Sequence, residues 1–241
     1  MALQLEICIE APAAGVAARE GGADRVELCS ALSVGGLTPS HGLIAETVAQ
    51  CGLPVHVLVR PRAGNFVYSS EELRMIERDI EAAKQLGAAG VVLGVLDAAS
   101  EVDAERTRAW VAQAAPMAVT FHRAIDRSRN LGESLERVIE AGCARVLSSG
   151  GQPTVAEGAS MLASLAQQAA GRIRIAAGGG VTLESARQLL QTASVDLHAS
   201  LRRHAAAVVQ STDPLWNAEH PCVVDPADVR ALVELMAQAA H

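Results

Sequence analysis

The sequence predicts an α/β protein with the fold of a TIM (β/α)8 barrel. Eight short apolar runs recur along the chain, and most are followed by a stretch with helical periodicity. Their spacing of roughly 25 to 30 residues is the size of a unit of one strand and one helix. The chain has 241 residues, close to the about 250 that eight such units need. We therefore expect a single domain over residues 1–241.

Each predicted strand is a short apolar run bounded by turn residues. In chain order the strands are Leu3–Ile9, Arg25–Cys29, Val55–Val59, Val91–Gly94, Ala118–His122, Arg145–Ser148, Arg172–Ala176 and Val195–Ala199. Such runs are typical of parallel strands covered by helices. An open doubly wound sheet is the alternative, but the first strand-to-helix turn lacks the GxGxxG pattern.

Helix start signals follow the strands in order. Pro12 suits a first helical turn. The N–H groups of that turn have no partner within the helix, so the absence of an N–H on proline has no cost there. Ser69 and Glu72 form a capping-box pattern. The other predicted helix starts are Ser40, Asp103, Leu131, Thr182 and Asp225 with Pro226. The segment Arg202–Val224 fits no unit and is an insertion, a lid or an interface arm.

Composition excludes several classes of partner. The net charge is −7 and the chain has only five aromatic residues, which argues against nucleic-acid binding. No apolar run approaches the ~20 residues that cross a bilayer, and the acidic start is not a signal peptide. We expect a cytoplasmic protein with no membrane partner, free thiols among its five cysteines, and a homodimer as the commonest assembly.

Polar residues occupy one face of several predicted strands. Alternation places Glu6 with Cys8 on the first strand and Glu27 with Cys29 on the second. The same pattern groups His56 with Arg60, Thr120 with His122, and His198 with Ser200. Because the helix-covered face must be apolar, these side chains are expected inside the barrel. The alternative function of this set is a buried ion network, in which Glu6 and Glu27 pair with Arg60, Arg123 or the histidines.

Such a set also fits acid–base catalysis. Glu27, His122 and His198 are candidates for proton transfer, and Arg60 is a candidate clamp for an anionic substrate. His122 precedes Arg123 and is followed by Asp126, and a carboxylate such as Glu6 or Glu27 is expected to tune it.

Two cysteines form a candidate metal site. Cys8 and Cys29 each come two residues after a glutamate on neighbouring strands, about 4.8 Å apart if the register matches. Paired thiolates suit Cu(I). Spacing alone favours the simpler alternative of two thiols packed as small apolar groups.

Two glycine-rich turns are candidate anion-binding sites. Gly150 and Gly151 follow the sixth strand, and Gly179 and Gly180 follow the seventh. Exposed backbone N–H groups ahead of a helix attract phosphate, and Arg202 with Arg203 would add charge. The alternative is a tight turn with nothing bound.

Six longer segments resemble the CutC family, named for copper homeostasis. They are LEICIE at Leu5–Glu10, the segments Gly21–Ser40 and Val55–Ser69, VTFHRAID at Val119–Asp126, VLSSGG at Val146–Gly151 and AAGGGV at Ala176–Val181. The resemblance extends from Met1 to Arg203. Two positions depart from the family pattern: Ile125 stands where Phe is usual, and Ala199 where Gly is usual.

The resemblance implies a TIM barrel, a cytoplasmic location and a role in copper handling. It implies Cu(I) as the ligand and carries the role of thiol ligands to Cys8 and Cys29. Three hypotheses follow: a copper-binding homeostasis protein, an enzyme acting on a small phosphorylated or carboxylated metabolite, and a partner-binding barrel whose mouth is vestigial.

Overall fold

Eight parallel strands form a closed barrel, which confirms the predicted fold. The computed structural model describes residues 2–204 and 222–239. The strands follow one another around the barrel in sequence order. They are β1 Leu5–Ile9, β2 Arg25–Leu28, β3 Val55–Leu58, β4 Gly90–Leu93, β5 Ala118–Phe121, β6 Arg145–Ser148, β7 Arg174–Gly178 and β8 Asp196–Ala199.

Eight helices accompany the strands in the described chain. They are α1 Pro12–Gly21, α2 His41–Cys51, α3 Ser70–Gln85, α4 Ala104–Ala114, α5 Leu131–Glu140, α6 Ala159–Ala169, α7 Leu183–Thr192 and α8 Pro226–Ala239. The predicted starts are confirmed: Ser40 caps α2, Ser69 forms the capping box of α3, and Thr182 caps α7. Each cap satisfies N–H groups that have no partner within the helix.

The seventh strand begins two residues later than predicted. β7 begins at Arg174 rather than Arg172, because a turn intervenes after α6. Ala170 and Gly171 both have left-handed backbone, with φ of 48° and 76°, and the N–H of Arg172 donates to the carbonyl of Ala169. This turn uses the residues that the apolar pattern had assigned to the strand.

The segment that fits no repeat begins and ends as a small antiparallel ladder. Strand β9, Arg202–His204, pairs with β10, Cys222–Val224. The stretch between them lies outside the described residues. That this segment is an insertion, a lid or an interface arm therefore stays a prediction. Among the residues that the structure describes, no helix is long and apolar enough to span a membrane.

The two faces of the strands have different environments. Leu5, Ile7 and Ile9 point outward and belong to the main apolar core between strands and helices. Cys8 and Cys29 instead form a small inner cluster with Leu58 and Val92. The alternation of side chains along the strands therefore places the polar set inside the barrel, as predicted.

The register of β1 and β2 does not place Cys8 directly opposite Cys29. Cys8 lies opposite Glu27, and Glu6 lies opposite Arg25. The strands of a barrel tilt against its axis, and closure requires a stagger between neighbours. Residues that are equivalent in sequence pattern are therefore offset by two positions between these strands.

Candidate functional site

A cleft of about 340 Å³ opens at the carboxyl ends of the strands. This is the end of the barrel at which enzymes of this fold place their active sites. Its lining combines polar groups with an apolar wall of Leu32, Leu58, Phe66, Leu147, Val181 and Ala199. The polar groups of the lining come from Cys8, Glu27, Arg60, His122, Arg123, Gly179, Gly180, His198, Ser200 and Arg202.

Beneath the cleft, Glu6 is the centre of a buried ion network. Its carboxylate lies 2.5 Å from Nε of Arg25 and 2.7 Å from Nδ1 of His198. Burial alone would raise the pKa of Glu6, but the charge of Arg25 and the hydrogen bond from His198 hold it well below its usual range. Glu6 is therefore a fixed anion of the framework.

Glu6 was predicted to pair with Arg60, Arg123 or the histidines. His198 confirms the histidine partner, but neither of these arginines is the cationic partner. Arg25 takes that role because the strand stagger places it directly opposite Glu6. The signal was present in the sequence, since Arg25 precedes Glu27 by two residues and shares its face. The guanidinium of Arg25 also lies 3.4 Å from His56 and from Thr120.

A second ion network closes the opposite end of the barrel. Arg145 and Arg174 both pair with Asp196, at 2.9 Å and 2.5 Å. Arg145 and Asp196 are nearly inaccessible to solvent. Sequence reasoning missed this network, because single polar residues in short strands gave no repeated pattern. The buried ion network that was the alternative prediction is thus present in the lower layers of the barrel, with a histidine partner for Glu6 as predicted and with Arg25 in place of the predicted arginines.

The two thiols meet Glu27 at the floor of the cleft. Sγ of Cys8 lies 3.6 Å from Sγ of Cys29 and 3.6 Å from Oε1 of Glu27. Both cysteines are free and buried. The hydrogen bond with Cys29, burial and the negative charge of Glu27 raise the pKa of Cys8. The floor therefore holds the protonated thiol of Cys8 in contact with the sulfur of Cys29 and with a carboxyl group.

Glu27 itself is only partly satisfied. Its Oε2 is buried and has no hydrogen-bond partner in the described parts of the chain. Burial raises the pKa of this carboxyl. One ligand atom each from Cys8, Glu27 and His198 lie within 4.8 Å of one another, close enough to hold a metal ion.

His198 links the floor of the cleft to the ion network below. Burial opposes its charge, but the carboxylates of Glu27 and Glu6 outweigh this effect and raise its pKa. A protonated His198 can donate from one ring nitrogen to Glu6 while the ring lines the cleft. It is therefore the imidazole that suits proton donation at this site.

His122 has a different state. Its Nδ1 accepts a hydrogen bond of 3.2 Å from the N–H of Ala124, so the proton of the neutral ring is on Nε2. Burial and the nearby charge of Arg60 lower its pKa to about 3. The structure does not bring Glu6 or Glu27 into hydrogen-bond contact with His122, contrary to the prediction that one of them would tune it.

Three glycines that lie in strands or directly after one make room for the three imidazoles. A Cβ on Gly90 would collide with His56, one on Gly94 would lie 2.5 Å from Nδ1 of His122, and one on Gly178 would lie 3.0 Å from His198. Carbon atoms at such distances overlap, so these positions require glycine. These glycines were the unused sequence signal for where the bulky inward side chains lie.

Arg60 ties together the loops that follow β2 and β3. Its Nη1 donates to the carbonyls of Val34 and Gly36, at 3.1 Å and 3.0 Å, and its Nη2 donates to the carbonyl of Gly64 at 3.0 Å. The guanidinium also stacks over the ring of Phe66 at 5.0 Å. Only Nε of this buried side chain has no partner among the described residues.

The glycine turn after β6 already holds an anion of the chain itself. The carboxylate of Asp126 accepts from the N–H groups of Ser149 and Gly151, at 3.0 Å and 3.1 Å. It also pairs with Nε of Arg123 at 2.8 Å. The N–H of Gly150 donates to the hydroxyl of Ser148. At the predicted anion site, the N–H groups of Gly150 and Gly151 therefore already donate to side chains of the chain itself.

The turn after β7 is different, because Gly179 and Gly180 line the cleft. Their φ angles are 122° and 69°. Within the described chain, no hydrogen bond to a protein acceptor uses either of their N–H groups. The turn leads into α7, whose N-terminus adds positive potential. Of the two predicted arginines, Arg202 lines the cleft and pairs with Glu10, whereas Arg203 pairs with Asp225 and Asp228.

Fold and site together define a (β/α)8-barrel protein with a cleft lined by thiol, carboxyl, imidazole and guanidinium groups. The chain belongs to the CutC family, whose model matches residues 3–203. A CutC family protein of Xylella fastidiosa is 44% identical over 240 residues, which cover 98% of this chain and 90% of the relative. One from Chromobacterium violaceum is 45% identical over 207 residues, covering 86% of this chain and 84% of the relative.

Solved structures agree with this assignment. A crystal structure described as a candidate copper homeostasis protein CutC from Streptococcus agalactiae is 32% identical, with a TM-score of 0.75. The match covers 82% of this chain and 98% of that one. Thiamine phosphate pyrophosphorylase from Pyrococcus furiosus has a TM-score of 0.61 at 15% identity, over 99% of this chain and 98% of that one. That likeness shows the fold alone.

Proposed function

We propose that this protein binds Cu(I) at the floor of its cleft and acts in copper homeostasis. The observation that supports the proposal is the contact of two buried thiols, with 3.6 Å between Sγ of Cys8 and Sγ of Cys29. Thiolate is the ligand that Cu(I) prefers among protein side chains. The copper ion is the cargo of such a protein, held by these two residues.

The neighbours of the thiols fit the same proposal. Thiols bind metals as thiolates, so Cu(I) binding must release protons. Glu27 lies 3.6 Å from Cys8 and is placed to accept one of them. His198 brings an imidazole to the same floor. The name of the Streptococcus agalactiae structure, a copper homeostasis protein, agrees with this role.

A cytoplasmic location and a homodimer complete the proposal. Free thiols persist in reducing compartments, and all four cysteines whose state the structure describes are free. Fractionation of cells would test the first point. Sedimentation equilibrium would test the second, with a dimer expected at twice the chain mass of 25.0 kDa.

An anaerobic competition titration with a Cu(I) chelator tests copper binding. The protein should compete for one Cu(I), and the double variant C8S/C29S should lose at least about a hundredfold in affinity, as thiolate ligands are removed. The matched control is Cys143→Ser, which removes a thiol that is also buried but does not line the cleft. Unchanged affinity in C8S/C29S would overturn the proposal.

A second candidate function is an enzyme acting on a small anionic metabolite. It is favoured by a specific observation, the unpartnered Oε2 of Glu27 beside a cleft of about 340 Å³. In this role Glu27 accepts a proton and His198 donates one. Arg60, His122 and the N–H groups of Gly179 and Gly180 bind the anion.

Comparing wild type with Glu27→Gln tests this enzyme function. Each protein is incubated with a cell metabolite extract, and mass spectrometry records which masses change. An enzyme should alter at least one acidic metabolite, and the rate should fall by about 10² or more in E27Q, as expected for loss of a general base. Identical extracts for wild type and variant would overturn it.

A further inference from the structure

Arg60 is a buried cation without a counter-ion. Its side chain is 6% exposed, and it forms no ion pair with a carboxylate of the described residues, whereas Arg25, Arg145 and Arg174 all do. Its two terminal nitrogens donate to neutral loop carbonyls, and its Nε donates to no atom in the described chain. Buried charges in proteins are normally paired.

A second unpaired donor lies close to it. His122 is 5% exposed, and its Nε2 has no partner among the residues described. Because Nδ1 accepts from the N–H of Ala124, Nε2 carries the proton and can only donate. Leaving such a donor buried and unpaired is unfavourable by about as much as a lost hydrogen bond. Two such donors on one wall of a cleft therefore indicate a missing acceptor.

Phe66 connects the two donors. Its ring centroid lies 4.9 Å from that of His122 and 5.0 Å from the guanidinium carbon of Arg60. Phe66 belongs to the loop between β3 and α3 and is only partly buried. It contacts both side chains, and all three residues line the cleft.

We propose that this wall of the cleft binds the carboxylate of a small organic acid. One oxygen accepts from Nε of Arg60 and the other from Nε2 of His122, and Phe66 moves aside to admit the group. The inference deepens the second proposed function, on which it rests only for placing the ligand in the same cleft. His122 is then a binding residue that donates a hydrogen bond.

Two features favour a carboxylate over a phosphate. The glycine turn after β6, which would supply several N–H donors to a phosphate, is taken by Asp126. The same cleft has an apolar lining that includes Leu58, Phe66 and Leu147. Two N–H donors and an apolar wall match a carboxylate with a short carbon chain.

The test is a binding titration of the full chain, followed by two-bond ¹H–¹⁵N spectra of the imidazole rings. The probes are mono- and dicarboxylates of two to five carbons, inorganic phosphate, and chloride as the control for ionic strength. We expect at least one carboxylate to saturate and to shift the Nε2–H signal of His122. Phosphate and chloride should leave that signal in place.

Two variants of His122 separate binding from structure. In His122→Asn, the amide oxygen replaces Nδ1 as the acceptor for Ala124, but the outer donor is lost. In His122→Gln, the amide nitrogen replaces the outer donor, but the acceptor is lost. Carboxylate affinity should fall at least tenfold in H122N, the range for a hydrogen bond to a charged group. H122Q should retain most of it, and the control Cys143→Ser, which changes a buried thiol away from the cleft, should retain all of it.

Several results would overturn the inference. The first is that no carboxylate saturates the protein, which would leave only ordered water on the two donors. The second is that phosphate binds more tightly than every carboxylate. The third is that H122N and wild type bind the carboxylate with equal affinity. The spectra of wild type alone decide the matter if either variant fails to fold. A carboxylate that saturates wild type and shifts the His122 signal, while metabolite extracts remain identical for wild type and Glu27→Gln, would support this site and overturn the enzyme function alone.

Discussion

Oε1 of Glu27 lies 3.6 Å from Sγ of Cys8, so a carboxyl group and a thiol share the floor of the cleft. Neither group is in its usual protonation equilibrium. The pKa of Glu27 is raised, first by burial, and that of Cys8 is raised by its hydrogen bond with Cys29, by burial and by the charge of Glu27. Each group therefore affects the other's proton.

Replacing Glu27 with Gln should make Cys8 more reactive. Removal of the negative charge lowers the pKa of the thiol, and the thiolate is the nucleophile. We expect iodoacetamide alkylation of Cys8 at pH 8 to accelerate by about threefold or more, because a larger fraction of the thiol is then thiolate. Peptide mass spectrometry over time measures the rate, and Cys143 in the same sample is the internal control. A rate equal to wild type would contradict the coupling.

Replacing Glu6 with Gln should destabilise the barrel strongly. The variant leaves the buried charge of Arg25 without its partner, a loss of about 3–5 kcal/mol for a buried pair. Urea unfolding at pH 7 measures it. The matched control is Glu136→Gln, which removes an exposed pair with Arg172 and should leave the free energy of unfolding nearly unchanged.

The same pair predicts a pH dependence. The folded-state pKa of Glu6 lies below its unfolded value of about 4.5, so its stabilisation is complete above that pH and is lost as the pH falls towards the folded value. In E6Q this contribution is absent. The decline in stability of wild type below pH 4.5 should therefore be shallower in E6Q, and parallel curves would argue against the ion pair.

Adding one methyl group at Gly94 should displace His122. The new Cβ would lie 2.5 Å from Nδ1 of His122 and 3.1 Å from Cβ of Ala124. We expect Gly94→Ala to lower the free energy of unfolding by about 1–3 kcal/mol, as overpacking does. Gly42→Ala is the control, because its Cβ would meet no atom within 4 Å and should stabilise helix α2 by about 0.5–1 kcal/mol.

The pKa values of the two cleft histidines, His122 and His198, should be shifted in opposite directions. Burial and Arg60 lower the pKa of His122 to about 3, so it should remain neutral from pH 5 to 8. The pKa of His198 is raised, so its ring should stay charged above pH 6.5, the ordinary histidine value. Imidazole ¹⁵N shifts measured against pH would show this. A midpoint near 6.5 for both rings would contradict the described environments.

These shifts contribute to stability with opposite signs. The unfolded chain protonates His122 near pH 6.5 while the folded chain does not, so this residue destabilises the fold as the pH falls below that value. His198 stabilises the fold below pH 6.5, and its contribution is lost as the pH rises through its raised folded value.

The sequence was sufficient to predict the fold and the inward side of five of the eight strands. Both follow from local rules, namely the spacing of apolar runs and the alternation of side chains. Glu6, Cys8, Glu27 and His198 were all placed inside the barrel on that basis, and the structure places them there.

The partners within the site required the barrel itself. Because β1 and β2 are staggered, Arg25 rather than Glu27 lies opposite Glu6. No local sequence pattern indicates such an offset. Likewise, Asp126 reaches the turn after β6 from a loop 23 residues earlier. Long-range pairing of this kind depends on strand tilt and loop path, which a single sequence does not specify.

Arg60 gives the mouth of the barrel a mechanical property. One guanidinium joins the carbonyls of Val34 and Gly36, after β2, to that of Gly64, after β3. Two loops that are separate in the chain are thus held together by the Arg60 side chain. Neither loop can move outward without breaking its hydrogen bonds to that guanidinium. Any widening of the entrance on this side must carry both loops together.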